Sequence, residues 1–416
     1  MNKVLKKNFL YRNPNFVLLW VGQILSQSGG RMYQMAMIWW ILSIGLEGSG
    51  KYVGLFMVMA ALPSILLVKK IGNTIDNGNS KRILVTCDVL AASIVGLVGL
   101  LVFKNWLALP FAFVAGFVAA TLQAHIDPTL NRAIQEIVPP EDVEGAVSLL
   151  ASTQSMANFT GAVAGAVLID RMGIYGTAWM AAMGYVISSI ATGISQFKYR
   201  EIPSDDPESV KKSQLSGWSI LTDYPLLKRI LIGFGLINFF ATPTLVVLPI
   251  YTKKTLMGSA STLGTLEASL WIGLLLGALG AKYIHWFESR IKLGAFCLVI
   301  FGLGLGVPGL VTNVPVYMVA LFVAGAALGV NNVKFISYFQ EVVAPELKGR
   351  FFALMQALIG FTFPIAYFLF GWLTDLVDPP TVCLIQGFGV IALAIYFASL
   401  AREESQTSGL QAVGVS

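Results

Sequence analysis

Four polar side chains interrupt the first apolar stretch of this chain: Gln23, Gln27, Arg31 and Gln34. At helical spacing they fall within about 80° of arc, a polar stripe on an otherwise apolar helix. Gln123, Asp127 and Asn131 form a second stripe beside Pro128, and Asn331, Lys334, Tyr338 and Glu341 a third. Carboxamides both donate and accept hydrogen bonds, and a guanidinium grips a carboxylate in a planar fork. Arg31 therefore attracts an anionic or carbonyl-rich group, or pairs with a nearby carboxylate. Asp127 takes up a proton, as desolvated carboxylates do, or pairs with Arg132 or Arg31. Lys334 lies too deep to reach a surface; it serves a substrate or coupling role, or a structural ion pair. Glu267, with Trp271 one turn on, is a titrating or substrate-binding carboxylate. Phe239 and Trp271 are the aromatic candidates for stacking on an apolar molecule. His125 faces away from its stripe and reads as packing. Glu341 stands near a helix end and reads as structural.

The elements that must carry these stripes follow from composition. Of 416 residues, 56% are hydrophobic and 12% charged, and the mean hydropathy is +0.73. A water-soluble domain carries about 25% charged residues, so this chain has too few to cover a surface in water. The class that remains is an all-α, polytopic membrane protein. Spans read at about 16–45, 52–71, 83–103, 107–137, 143–170, 176–197, 226–252, 262–285, 291–311, 315–343, 348–376 and 381–401. These are twelve transmembrane helices. The boundaries give an N-terminal six-helix half (1–197), a linker (198–225) with a short amphipathic helix near Trp218, a C-terminal half (226–401) and a tail (402–416).

The net charge is +6. Most of the 28 Lys and Arg fall on the side of the spans that the N-terminus occupies, and only Lys51, Lys104, Arg171, Lys253 and Lys254 fall opposite. The positive-inside rule then places both termini in the cytoplasm, with the protein in the inner membrane of a bacterium. The basic balance needs no nucleic-acid partner. The first apolar run is a spanning one, so no cleavable signal is expected. Cys87, Cys297 and Cys383 are scattered, and there are 2 His. No metal site, cofactor or disulfide framework is expected. No nucleophile–base–metal constellation marks an enzyme.

A repeat supports the two halves. Gln135-Glu136-Ile137-Val138-Pro139-Pro140-Glu141 returns as Gln340-Glu341-Val342-Val343-Ala344-Pro345-Glu346. At the same offset Gly72 meets Gly277, Leu168 meets Leu373 and Asp170 meets Asp375. A duplicated unit of six spans, parallel because six is even, gives two pseudo-symmetric halves. Transporters are commonly built this way, with the binding site near the midplane.

The run Phe16-Val17-Leu18-Leu19-Trp20-Val21-Gly22-Gln23, the segment Gln34-Met35-Ala36-Met37, and Gly349-Arg350 followed by Phe351 through Leu354 carry a resemblance. Pro128 and Pro139-Pro140-Glu141 add to it. The chain resembles the major facilitator superfamily, and within it the drug:proton antiporter branch that includes bacterial macrolide efflux proteins. The resemblance implies secondary active transport by rocking of the two halves, with proton-coupled export of an amphipathic, drug-like molecule. A siderophore or lysophospholipid, coupled in another way, is the alternative. A monomer surrounded by lipid is implied. The resemblance further implies a gate in the loop after the second span: Gly72, Asp76, Lys81, Arg82 and Leu84 fit that motif, with Asn77 in place of its arginine. Asp88 is expected to pair with Lys81 or Arg82 in that gate. Ala119, Gly161-Ala162, Gly165-Ala166 and Gly29-Gly30 depart from the branch's patterns. The Gly29-Gly30 pair is expected to allow a bend.

Overall fold

The computed structural model describes residues 11–197, 225–284, 289–343 and 347–413. The expected linker and its amphipathic helix lie outside the described residues, apart from Pro225. Among the described residues all regular structure is helical: α1 (Pro14–Ser43), α2 (Ser49–Leu66), α3 (Val68–Asn77), α4 (Ser80–Phe103), α5 (Leu109–Ile137), α6 (Val143–Ile194), α7 (Pro225–Ala241), α8 (Thr244–Lys254), α9 (Ala260–Gly280), α10 (Arg290–Gly306), α11 (Val314–Val342), α12 (Lys348–Leu376) and α13 (Pro379–Val413).

Local chemistry sets several starts. Asn79, Ser289 and Asn313 each stand one residue before a helix, and each side chain accepts a backbone N–H of the first turn. This satisfies a donor that the helix leaves orphaned. Proline in the first turn of α1, α5 and α11 removes another.

Among the described residues, ten stretches are long and apolar enough to cross a bilayer. One of them, Pro140–Ile194, turns back at Gly173, whose φ of 71° lies in the region glycine adopts without strain. The helix α1 is missing from the ten because its polar stripe dilutes its hydropathy. With α1 and both arms of α6, the chain is a twelve-helix polytopic membrane protein. Large apolar side chains remain exposed along the helices, such as Leu97, Leu100 and Val319; in a bilayer these meet lipid.

Two expected spans are broken. The second ends at Leu66, and Val68–Asn77 forms a short amphipathic helix that buries Ile71 and Ile75 and exposes Lys69, Lys70 and Asp76. The seventh divides at Thr242-Pro243 into α7 and α8, because proline lacks an N–H and disfavours helix in the residue before it. At Gly29-Gly30, where a bend is expected to be allowed, α1 continues as helix without a break. These glycines instead admit close neighbours, since a Cβ on Gly29 would stand 2.9 Å from the Ala181 carbonyl oxygen.

The described residues fall into two compact units. One holds those up to 197 together with Gly258–Gly264, and the other holds the rest. In the first, α1 packs between both arms of α6. Trp20 donates to Thr153 Oγ1 at 2.9 Å, Ser28 shares a 2.7 Å hydrogen bond with Thr160, and Gln23 donates to Ser188 at 3.3 Å. Asp170 accepts the backbone N–H groups of Ala260 and Ser261 at 3.1 and 2.8 Å, capping the start of α9. The core of the second unit is aromatic: Phe234 meets Phe335, Phe339 and Phe397 edge-on.

The repeated glutamates occupy matching places. Glu136, at the end of α5, accepts from Ser80, the first residue of α4, at 2.7 Å. Glu341, at the end of α11, accepts from Arg290, the first residue of α10, at 2.8 Å. Each unit therefore ties the end of one helix to the start of the helix before it.

Candidate functional site in the first unit

A cavity of about 310 Å³ opens within the first unit. Helix α1 contributes Gln27, Arg31, Tyr33 and Gln34, α5 contributes Gln123 and Asp127, and α6 adds Gln154, Asn158 and Tyr185. Two of the three sequence stripes thus contribute to one wall. Arg31 is 8% exposed. Its guanidinium donates to Gln34 Oε1, which orients that carboxamide, and Gln34 Nε2 reaches Met57 Sδ at 3.3 Å. Gln27 donates to Asp127 Oδ1 at 3.4 Å. Arg132, a second candidate partner for Asp127, is engaged elsewhere: it bonds Glu136 at 3.0 Å and the carbonyl of Ile75.

The close fit of α1 against α6 fixes Arg31. A Cβ on Gly161 would stand 2.6 Å from Arg31 Cβ and 2.8 Å from the Ser28 carbonyl oxygen. Only glycine lets the two helix backbones approach so near at this point. Phe56, Ala60, Gly116, Ala119, Ala120 and Ala157 give the cavity its apolar surface. An apolar pocket with a few placed polar groups is the usual form of a small-molecule site. Here the polar set includes five carboxamides, one guanidinium, one carboxylate and two phenols.

The sequence stripes leave out Gln154, Asn158, Tyr33, Tyr185 and Ser64, which also line the cavity. Gln154 and Asn158 stand four apart, the spacing that marks the other stripes, but among Ser152, Thr153, Ser155 and Thr160 they do not stand out as a polar pair on an apolar helix. The tyrosines carry no such mark in a chain with 12% aromatic residues.

The remaining expected residues lie elsewhere. Gln23 is fully buried against Ser188 and does not line the cavity. Asn131 is exposed. Asp88 does not pair with Lys81 or Arg82: it is 0% exposed and accepts from Ser26 at 2.7 Å, while Lys81 bonds the Ser195 carbonyl. Its position, two turns into α4, faces α1 rather than the loop. Asp76, Lys81 and Arg82 do share one cleft of about 770 Å³ with Arg132, which donates to the Asp76 carbonyl. A Cβ on Gly72 would meet nothing within 4 Å.

In the second unit, Lys334 donates to the Ile284 carbonyl at 2.8 Å. Asn331 and Glu267 are buried, at 1% and 2% exposure. Tyr338 is buried beside Phe339, and Phe239 packs edge-on against Phe240 and Phe370. Trp271 is half-buried, and its Nε1 is a buried donor with no acceptor in reach among the described residues.

Comparison with known proteins agrees with this architecture. Residues 19–360 match the family model of the Major Facilitator Superfamily. Macrolide efflux protein A of Streptococcus pyogenes is 23% identical over 384 residues, covering 91% of this chain and 94% of that protein. The multidrug efflux pump Tap of Mycolicibacterium fortuitum is 22% identical over 406 residues, covering 94% and 96%. Among solved structures, a mutant of the nucleoside transporter NupG superposes with a TM-score of 0.76 at 11% identity, covering 93% of this chain and 99% of that one. A bacterial homolog of the human lysosomal transporter Spinster, inward-facing and unoccupied, gives 0.69 at 13% identity, covering 94% and 96%. The twelve apolar helices and the family match over most of the length lead to one conclusion: the chain belongs to the major facilitator superfamily and is a membrane transporter, not an enzyme.

Proposed function

We propose that this transporter exports an amphipathic, drug-like small molecule from a bacterial cell in exchange for protons. The observation that carries this reading is the cavity of the first unit, where an apolar wall is studded with carboxamides around Arg31 and Asp127. The apolar surface suits a hydrophobic body. The carboxamides suit its hydroxyl, carbonyl and amide groups, because each offers both donor and acceptor. Asp127, bonded by Gln27 at a long 3.4 Å, is the cavity carboxylate placed to exchange a proton with bound substrate. The likeness to macrolide and multidrug efflux proteins supports export. Lysine and arginine at the span ends support an inner-membrane protein with both termini in the cytoplasm. The unit of function is a monomer. Arg31 in the cavity wall favours one second reading, in which the substrate is anionic or zwitterionic, such as a siderophore or a lysophospholipid.

Inside-out vesicles with an imposed pH gradient test the reading against a macrolide, a catechol siderophore and a lysophospholipid. One of them discharges the gradient, and Asp127→Asn abolishes that response. Accumulation of a compound with no movement of protons would refute the coupling. No transport of any of the three would refute the substrate class.

A further inference from the structure

Helix α9 belongs to two bodies at once. Its start lies in the first unit, which takes in Gly258–Gly264, and its continuation from Thr265 lies in the second. Yet α9 runs unbroken from Ala260 to Gly280. A rod held at both ends cannot follow two units that move in different directions, so one of its holds must yield when they move.

The hold in the second unit is built from backbone. A Cβ on Gly273 or Gly277 would strike the carbonyl oxygens of Phe322 and Ala326 on α11, and a Cβ on Gly325 or Gly329 those of Leu270 and Leu274 on α9. Helices this close have no side chains between them to rearrange, and packed backbone resists deformation. This hold moves with α9 as a block.

The hold in the first unit is built differently. Ala162, Ala166 and Asp170 stand four apart on one face of α6, and Ala260 and Gly264 four apart on one face of α9. A Cβ on Gly264 would strike the Ala166 methyl, so these two faces meet. One turn beyond that contact, the Asp170 carboxylate takes the N–H groups of Ala260 and Ser261 at 3.1 and 2.8 Å. A helix start favours an anion. The Asp170 side chain is exposed, so it can turn to another rotamer and exchange both hydrogen bonds for water at small net cost. Helix α9 keeps a cap of its own when that happens, because Ser259 Oγ accepts the Thr262 N–H at 3.4 Å. Of the two holds, this is the one that can part without damage. Asp375, the repeat partner of Asp170, is engaged otherwise: it pairs with the Lys254 ammonium at 3.5 Å within the second unit.

We propose that Asp170 is a releasable latch: its carboxylate docks the first turn of α9 on α6 in one stage of the transport cycle and lets go in another. Asp170 is not among the residues that line the cavity and acts through α9, as a positioning residue. The latch depends on the two units moving during transport, and on neither the drug-like substrate nor the proton.

The test is the labelling of one buried thiol. Ala260 is 0% exposed, on the face of α9 turned to α6, and the three native cysteines are buried. The full-length Ala260→Cys protein in lipid nanodiscs, with both faces open to water, is treated with a water-soluble maleimide and no substrate. The parent protein gives the blank. The latch predicts slow labelling above the blank, as the first turn of α9 undocks and returns. Adding Asp170→Ala speeds the labelling several-fold, and adding Asp375→Ala leaves it unchanged. If Asp170→Ala does not fold, Asp170→Asn, which keeps one acceptor oxygen, gives a smaller gain. Labelling no faster than the blank overturns the release. A rate unmoved by the Asp170 variants, or raised equally by Asp375→Ala, overturns Asp170 as the residue that holds the turn. The vesicle assay separates this from the efflux reading. Labelling governed by Asp170 without any substrate-driven proton flux refutes efflux alone, and proton flux with a thiol indifferent to Asp170 refutes the latch alone.

Discussion

Gly161→Ala tests whether the position of Arg31 depends on the approach of α6 to α1. The new methyl would stand 2.6 Å from Arg31 Cβ, 2.8 Å from the Ser28 carbonyl oxygen and 3.0 Å from Arg31 Cγ. Optimal carbon–carbon contact is about 3.5–4.0 Å, so the helices must part by about 1 Å. Two of the three atoms are fixed to the α1 backbone, so no change of rotamer relieves the overlap. That places the strain near the upper end of the overpacking range, about 3 kcal/mol. Alanine is the better helix former by about 1 kcal/mol, which leaves a net loss of about 2 kcal/mol. For a unit of roughly 200 residues this lowers Tm by about 4–8 °C. The assay is thermal stability of the detergent-solubilised protein by fluorescence-detected size exclusion. Two glycines calibrate it. At Gly165 the nearest atom to a Cβ is Met32 Cα at 3.3 Å, and at Gly72 nothing lies within 4 Å. Gly165→Ala therefore loses less than half as much, and Gly72→Ala, in the exposed helix α3, loses nothing. In transport, Gly161→Ala raises KM more than it lowers kcat, because it moves Arg31 in the cavity wall. A Gly161→Ala protein that melts with wild type and with Gly72→Ala would refute the packing argument.

The repeated glutamates are equivalent in place and unequal in weight. Glu136, with a side chain 10% exposed and held by Ser80 and Arg132, loses more on change to Gln than Glu341, which is 64% exposed. The Tm fall for Glu136→Gln is at least twice that for Glu341→Gln, as expected for part-buried against surface pairs; equal falls would show that the repeat, not burial, sets the energy. At the start of α13, the Thr381 hydroxyl and backbone N–H bond Asp378 and hold its carboxyl below the usual range. The stabilisation is therefore present at neutral pH and is lost as pH falls through this lowered value. The Tm gap between wild type and Asp378→Ala is full at pH 7 and closes as the pH drops below about 4; a gap that stays constant would refute the cap.

The class of fold could be read from the sequence because the bilayer writes it there. A segment that crosses lipid must bond its own backbone and be apolar for about 20 residues, and composition alone records that. What went unread depended on single backbone positions: the break at Thr242-Pro243 and the helix start at Val68, whereas the turn at Gly173 falls in the gap read between 170 and 176. The candidate site divides the same way. Gln27, Arg31, Gln34, Gln123 and Asp127 announced themselves because a polar side chain in an apolar helix is expensive wherever it points. Expense does not reveal direction. Gln23 belongs to the same arc as Gln27, yet one turn along α1 exchanges the cavity for the seam with α6, and Gln23 bonds Ser188 instead. Asp88 shows the same limit. Its position near Lys81 and Arg82 suggested a charged gate, but helical rotation carries it away from both and into contact with Ser26. The polar cost that made Gln23 and Asp88 conspicuous is thus met in a shared seam, by Ser188 and Ser26, and not in the cavity.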